Sequence, residues 1–161
     1  VDAGIVRRVY RIQRGDKLPL RAYAERAAFK LYFLDVGLFR CLASIASEVI
    51  FQKNAIFDEF NGLMAEQFVL QELAGRELFY WANNATAKVD FVGQFRDKIV
   101  PIEVKSGENV RAKSLKIYRE TYQPKLAVRM SMKDLAYDNG LLNIPLYESF
   151  AAEKFIGEMS R

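Results

Sequence analysis

The segment KVDFVGQFRDKIVPIEVKS, residues Lys88 to Ser106, has the pattern of two short strands joined by a tight return through Gly93 to Asp97. In the second strand Val100, Ile102 and Val104 alternate with Pro101, Glu103 and Lys105. Successive strand side chains leave opposite faces, so Glu103 and Lys105 share one. Asp90 sits between Val89 and Phe91 and leaves the apolar side in the same manner. Pairing of the two strands is expected to set Asp90 beside Glu103, so that two carboxylates and a lysine converge on one sheet surface.

Upstream, Asn61 to Leu73 reads NGLMAEQFVLQEL and is the clearest helix of the chain. At helical spacing Leu63, Val69, Leu70 and Leu73 form an apolar stripe, and Glu66 falls inside it. An unpaired carboxylate there would be costly to bury. Glu66 is therefore expected either to meet a basic group or a metal where the helix meets the sheet, or to reach solvent where the stripe ends. Gln67, Gln71 and Glu72 fall away from the stripe and are expected to be solvated.

Around this centre, Gly4 to Gln13 has strand character and a turn at Arg14 to Lys17 before Leu18 to Ala24 makes an N-terminal hairpin plausible, while Phe29 to Phe33 reads as a separate strand. Arg7, Arg8, Arg11 and Arg14 supply either a phosphate-facing patch or the charge that keeps an edge strand soluble. Asp35 is placed to cap a short helix from Val36 to about Ala43. Ser47 to Phe57 is helical but ragged. Arg76 to Ala82 is a strand with Trp81 in or near the core, and Asn83 to Ala87 a polar turn. Val110 to Tyr122 is a helix with Leu115, Tyr118 and Tyr122 inward and Lys113, Lys116 and Glu120 outward. Lys125 to Met132 is a further strand, and Leu141 to Leu146 a last one, which Pro145 marks as an edge. A helix from about Glu148 to Met159 closes the chain. The succession is α/β, with one main domain.

Composition narrows the chemistry. The 161 residues are 51% hydrophobic and carry 24 basic against 20 acidic side chains, a net +4 that permits a nucleic-acid partner without demanding one. Histidine is absent and Cys41 is the only cysteine, which excludes His-dependent triads, zinc sites built on His or Cys, and a disulfide framework. No run is long and apolar enough for a membrane span, so no membrane partner is expected. The plain reading is a soluble intracellular, cytoplasmic protein. The chain opens on Val1 and reads as a fragment of a longer one.

The oxygen ligands that Mg²⁺ or Mn²⁺ prefers are available in Asp90 and Glu103, with the Val104 carbonyl and Glu66 as further donors. Lys105 is placed to orient or help deprotonate an attacking water and to steady pentavalent charge. The alternative from spacing alone is a structural ion pair between Lys105 and one carboxylate, without metal or catalysis.

The helix acid, strand Asp and Glu-x-Lys pattern resembles the PD-(D/E)XK nuclease superfamily, with Glu66, Asp90, Glu103 and Lys105 on its positions in order and Val89 in place of the proline. KLPLRAY, FKLYFLDVGL, EQFVLQEL, LFYWANN, VDFV, VPIEVKS, SLKIYRE and IPLYE resemble the C-terminal domain of unknown function of prokaryotic AAA+ ATP-binding proteins, from about Gly4 to Tyr147. The resemblance implies a restriction-endonuclease-like α/β core over residues 26–161, a mixed central sheet flanked by helices. Residues 1–25 would be the tail of a winged-helix-like segment. It also implies an ATPase module upstream, since no P-loop occurs in this chain. The activity implied is Mg²⁺-dependent hydrolysis of DNA. The alternatives are an inactive module that binds DNA or the ATPase, and an interaction domain that mainly assembles oligomers. In such relatives an acid commonly stands two residues before the strand Asp; here Lys88 does, on the same face as Asp90.

Overall fold

Among the described residues the central hairpin grows into one eight-stranded mixed sheet. A computed structural model describes residues 4–44, 58–83, 87–107 and 111–159. Its strands are β1 (Val6–Ile12), β2 (Ala24–Phe33), β3 (Leu78–Ala82), β4 (Lys88–Phe95), β5 (Lys98–Lys105), β6 (Ala127–Ser131), β7 (Ala136–Asp138) and β8 (Leu141–Pro145). Among the described residues the α-helices are α1 (Val36–Leu42), α2 (Asp58–Glu72), α3 (Lys113–Tyr122) and α4 (Ala152–Met159), with 3-10 turns at Leu20–Tyr23 and Leu146–Ala151. The strands lie in the order β2-β1-β3-β4-β5-β6-β8-β7. The β1–β3, β5–β6 and β6–β8 pairs are parallel, and the other four are antiparallel. Thus β1 and β2, either side of the boundary expected near residue 25, are bonded into the same sheet as the rest. None of the described helices is long and apolar enough to cross a membrane.

Neighbouring residues of β4 point into different cores, so the sheet is covered on both faces. Phe91, Ile102 and Val104 pack with Val69 and Leu70 of α2, with Leu73 just after it and with Ile156 of α4. Val89, Val92 and Trp81 pack with Leu115 and Tyr118 of α3. Tyr118 meets Trp81 edge-on at 5.2 Å and donates to the Gly15 carbonyl at 2.7 Å. A Cβ at Gly15 would stand 2.0 Å from the Tyr118 hydroxyl, so only glycine fits there.

Several expectations change. The first is β1, which is an interior strand; β2 and β7 are the edges. β2 runs from Ala24, much longer than Phe29 to Phe33. β8 is interior too, despite Pro145, because the proline stands at its last position and β7 pairs only as far as Asn143. Alternation also hid β7, a strand of three exposed residues. Gly93 lies within β4, and the return is the two residues Arg96 and Asp97. The closing helix begins as 3-10 at Leu146. Ser47 to Phe57 lies outside the described residues, as do residues 84–86 and Val110. The cap at Asp35 is present, its carboxylate accepting from Leu38 N at 2.8 Å.

The helix stripe is displaced as well. Leu63 is exposed, whereas Gln67 is only 2% exposed. Its amide bonds both backbone groups of Phe33, accepting from the N–H at 2.8 Å and donating to the carbonyl at 2.5 Å. Gln71 accepts from Val36 N. These glutamines serve the edge strand and the start of α1, which would otherwise carry unpaired amides into a half-buried seam. Gln67→Ala should cost about 2–3 kcal/mol, read as a lowered urea midpoint at unchanged slope. An unchanged midpoint would mean that water replaces the amide freely.

Candidate functional site

A bulge, not simple alternation, positions Asp90. Phe79 pairs with Val92 and Trp81 with Val89, which leaves Asp90 and Phe91 together opposite Tyr80. Val89 and Phe91 consequently pack into different cores, although alternation would put them on one face. The bulge swings the Asp90 carboxylate across the hairpin, where Oδ2 accepts from Val104 N at 2.9 Å. Its Oδ1 lies 3.7 Å from Lys30 Nζ.

Lys30 is the residue missed by sequence reasoning. It alternates with Tyr32 along β2, and together they receive Glu66. Lys30 Nζ donates to Glu66 Oε2 at 2.8 Å and Tyr32 Oη to the same oxygen at 2.6 Å. The acid in the helix stripe thus meets a basic group, the first of the expected outcomes. The signal was present in FKLYF, where a lysine stands on the inward side of a strand. Lys30 also lies within 6 Å of the Tyr32, Tyr80 and Phe91 rings, at 5.8, 5.6 and 5.9 Å.

Glu103 and Lys105 form a second unit on β5. Lys105 Nζ is 2.8 Å from Glu103 Oε1, while Glu103 Oε2 is buried with no hydrogen-bond partner among the described residues. Glu103 is in register with Arg129 and, beyond it, Asn143, and Lys105 is in register with Ser131. Asn143 Oδ1 accepts from Arg129 Nε at 2.8 Å and from Ser131 Oγ at 2.7 Å. These polar residues in the middle of apolar strands were visible in VRMSM and LLNIP but had no pattern to mark them.

Electrostatics link the units through Asp90. Burial, then the charges of Glu66 and Glu103, push the Asp90 carboxyl up to about 7. Burial likewise raises Glu103, against the pull of Lys105. For Glu66 burial is outweighed by Lys30, Tyr32 and Asp90, which bring its carboxyl below the usual range. Lys105 is raised: burial opposes its charge, but Glu103 prevails. Lys88, near the Tyr80 ring, is lowered by partial desolvation of its ammonium and by Lys30 beside it.

The donors suit Mg²⁺ or Mn²⁺ in kind, and the open Glu103 oxygen is what an ion would take first. Their arrangement is less complete. No three His, Cys, Asp or Glu side chains among the described residues gather closely enough to hold a metal. Glu66 is taken up by Lys30, so Asp90 and Glu103 are the carboxylates that remain for an ion.

A family model described as a domain of unknown function (DUF4143) matches residues 61–148, more than half of the chain and a span that contains Glu66, Asp90, Glu103 and Lys105. No curated protein and no solved structure matches the chain.

Proposed function

The chain belongs to the DUF4143 family, and on that premise we propose that it is a nuclease-like domain of the PD-(D/E)XK kind, hydrolysing phosphodiester bonds of DNA in the service of an AAA+ ATP-binding protein. The observation that carries the reading is a pair of buried carboxylates on adjacent strands, Asp90 and Glu103, both raised by burial, with a lysine 2.8 Å from one of them and an oxygen of that same carboxylate left open. A buried carboxylate oxygen left open in this way is where a water or an ion would bind. The order α2-β3-β4-β5-α3-β6 is also the one that a restriction-endonuclease-like core would have, which supports the reading.

Asp90 and Glu103 would hold Mg²⁺ or Mn²⁺, and Glu66 would join them only on leaving Lys30. Such an ion supplies charge on the phosphoryl oxygens and acidifies a water. Lys105, held protonated by Glu103, acts as a fixed cation for the pentavalent charge and not as a base. Asp90 must be deprotonated to bind an ion, so activity should rise as pH climbs through about 7.

The second reading, an inactive module that binds DNA or the ATPase, is favoured by one observation: Lys30 already occupies Glu66 and faces Asp90. Incubation with single- and double-stranded DNA and Mg²⁺ or Mn²⁺ separates the two. Cleavage should fall by about 10²–10³-fold in Asp90→Ala and Lys105→Ala. Absence of cleavage with either metal, while the variants stay folded, would remove the hydrolase reading.

A further inference from the structure

Two adjoining clefts open at the end of the sheet where β4 turns into β5, away from the carboxylates. One, of about 360 Å³, is lined by Arg21, Arg76, Glu77 and Arg96 among others; the next, of about 410 Å³, shares Arg21, Arg76 and Glu77 and adds Arg7 and Arg8. Among the described residues, five arginines from four separate stretches of chain meet there, and Glu77 is the single acid lining either cleft.

The arginines differ in what holds them. Arg7 donates to the Ala74 and Arg76 carbonyls, Arg21 grips Glu77 at 2.7 Å, and Arg76 reaches Glu153 at 2.7 Å and stands over the Phe95 ring. Arg7 is held by backbone carbonyls, while Arg21 and Arg76 are each paired with a carboxylate, Glu77 and Glu153, that meets part of the basic charge. Arg8 lies 5.1 Å over the exposed Phe29 ring. Arg96 occupies the hairpin return at φ 57°, a left-handed conformation that suits Gly or Asn and strains arginine. A turn built for stability alone would carry one of those residues.

We infer that this arginine-lined end of the sheet is a second binding site, for the phosphodiester backbone of the nucleic acid on which the carboxylate site acts. Guanidinium forks match phosphate oxygens two at a time. The clefts are open and spread over two lobes, which suits a polymer better than a single mononucleotide. Asp90 on β4 and Arg96 in the return that follows it are six residues apart, at most roughly 20 Å of extended chain. That length of duplex carries on the order of a dozen phosphates, so one polymer reaches both ends of the sheet. The polymer's identity rests on the proposed hydrolase or DNA-binding function, whereas the site itself rests on the arginines. The basic patch suggested by the N-terminal sequence is thereby redrawn: Arg7 and Arg8 belong to it, but Arg11 is engaged by Glu25 and Arg14 by Asp16.

The test is binding of a fluorescent DNA oligonucleotide in EDTA, where hydrolysis is silent, followed by anisotropy over a range of salt. Arg8→Glu and Arg96→Glu, both at exposed positions, should each weaken binding about tenfold and lower the salt slope by about one; Lys113→Glu on the outer face of α3 should change neither. Unchanged affinity and slope in both arginine variants would overturn the site. Displacement by AMP as effective per phosphate as by oligonucleotide would overturn the polymer. DNA binding that depends on Arg8 and Arg96 without any cleavage leaves this site standing and removes hydrolysis. Cleavage indifferent to both arginines does the reverse.

Discussion

Lys30→Met is expected to destabilise the protein by about 3–5 kcal/mol at pH 8, the cost of leaving buried carboxylate charge without its cation. Lys30, Glu66 and Asp90 side chains are only 15%, 18% and 12% exposed, so water repairs little of the loss. Tyr32 still donates to Glu66, but a neutral hydroxyl does not offset a charge. The sign of the pH dependence identifies the cause. Without Lys30 both carboxyls rise, the folded state takes up protons, and the deficit shrinks as pH falls toward 5. Urea unfolding of native and variant chains at pH 5 and 8 measures it. A deficit equal at both pH values would point to lost packing of the lysine stem instead. Millimolar Mn²⁺ should restore part of the stability at pH 8, because an ion is the other way to neutralise Glu66 and Asp90. A full deficit that Mn²⁺ leaves untouched would favour the inactive binding module.

The same cluster shows which features were legible in the sequence. Asp90, Glu103 and Lys105 could be read because an apolar alternation broken by charge is a local signal, and β5 obeys it. On β4 the period of two fails at the bulge, and a bulge is set by the neighbouring strand, which no window of β4 contains. Glu66 drew notice as an acid in an apolar stripe, but its partner stands 36 residues upstream on a strand not known to be adjacent. Gln67 looked solvated for a related reason: its role is to complete an edge strand, and the helix pattern says nothing about edges. The placement of β1 inside the sheet depended on parallel pairing with β3, a long-range contact, whereas its charge suggested an exposed edge. Helix α3 and its inward Leu115 and Tyr118 were legible because a single helix packed on a sheet shows its stripe plainly.

Asp90→Asn is expected to remove most of the pH dependence of stability between about pH 4 and 7. In the folded chain burial, with Glu66 and Glu103, holds Asp90 at about 7, well above the ordinary carboxylate range. A raised carboxyl favours the folded state while it is protonated. Its contribution is complete below about pH 4 and is lost as pH rises through 7, a total on the order of 4 kcal/mol. Glu66 works in the opposite sense at lower pH: its carboxyl is depressed, so its contribution is present above its unfolded range and lost as pH falls through the folded one. The two windows are therefore separable. Asparagine keeps an oxygen to accept from Val104 N but has no proton to bind, so the variant should be flat where the native chain slopes, apart from a residual slope from Glu103. Unfolding midpoints at pH 4.5, 6 and 8 read this directly. If the variant keeps the full native slope, the proton taken up on acidification does not sit on Asp90, and Glu103→Gln becomes the variant that should flatten the curve. A native chain with no slope at all would mean that Asp90 is ionised at pH 5 beside Lys30, a ready-made anion for a divalent ion at every pH tested.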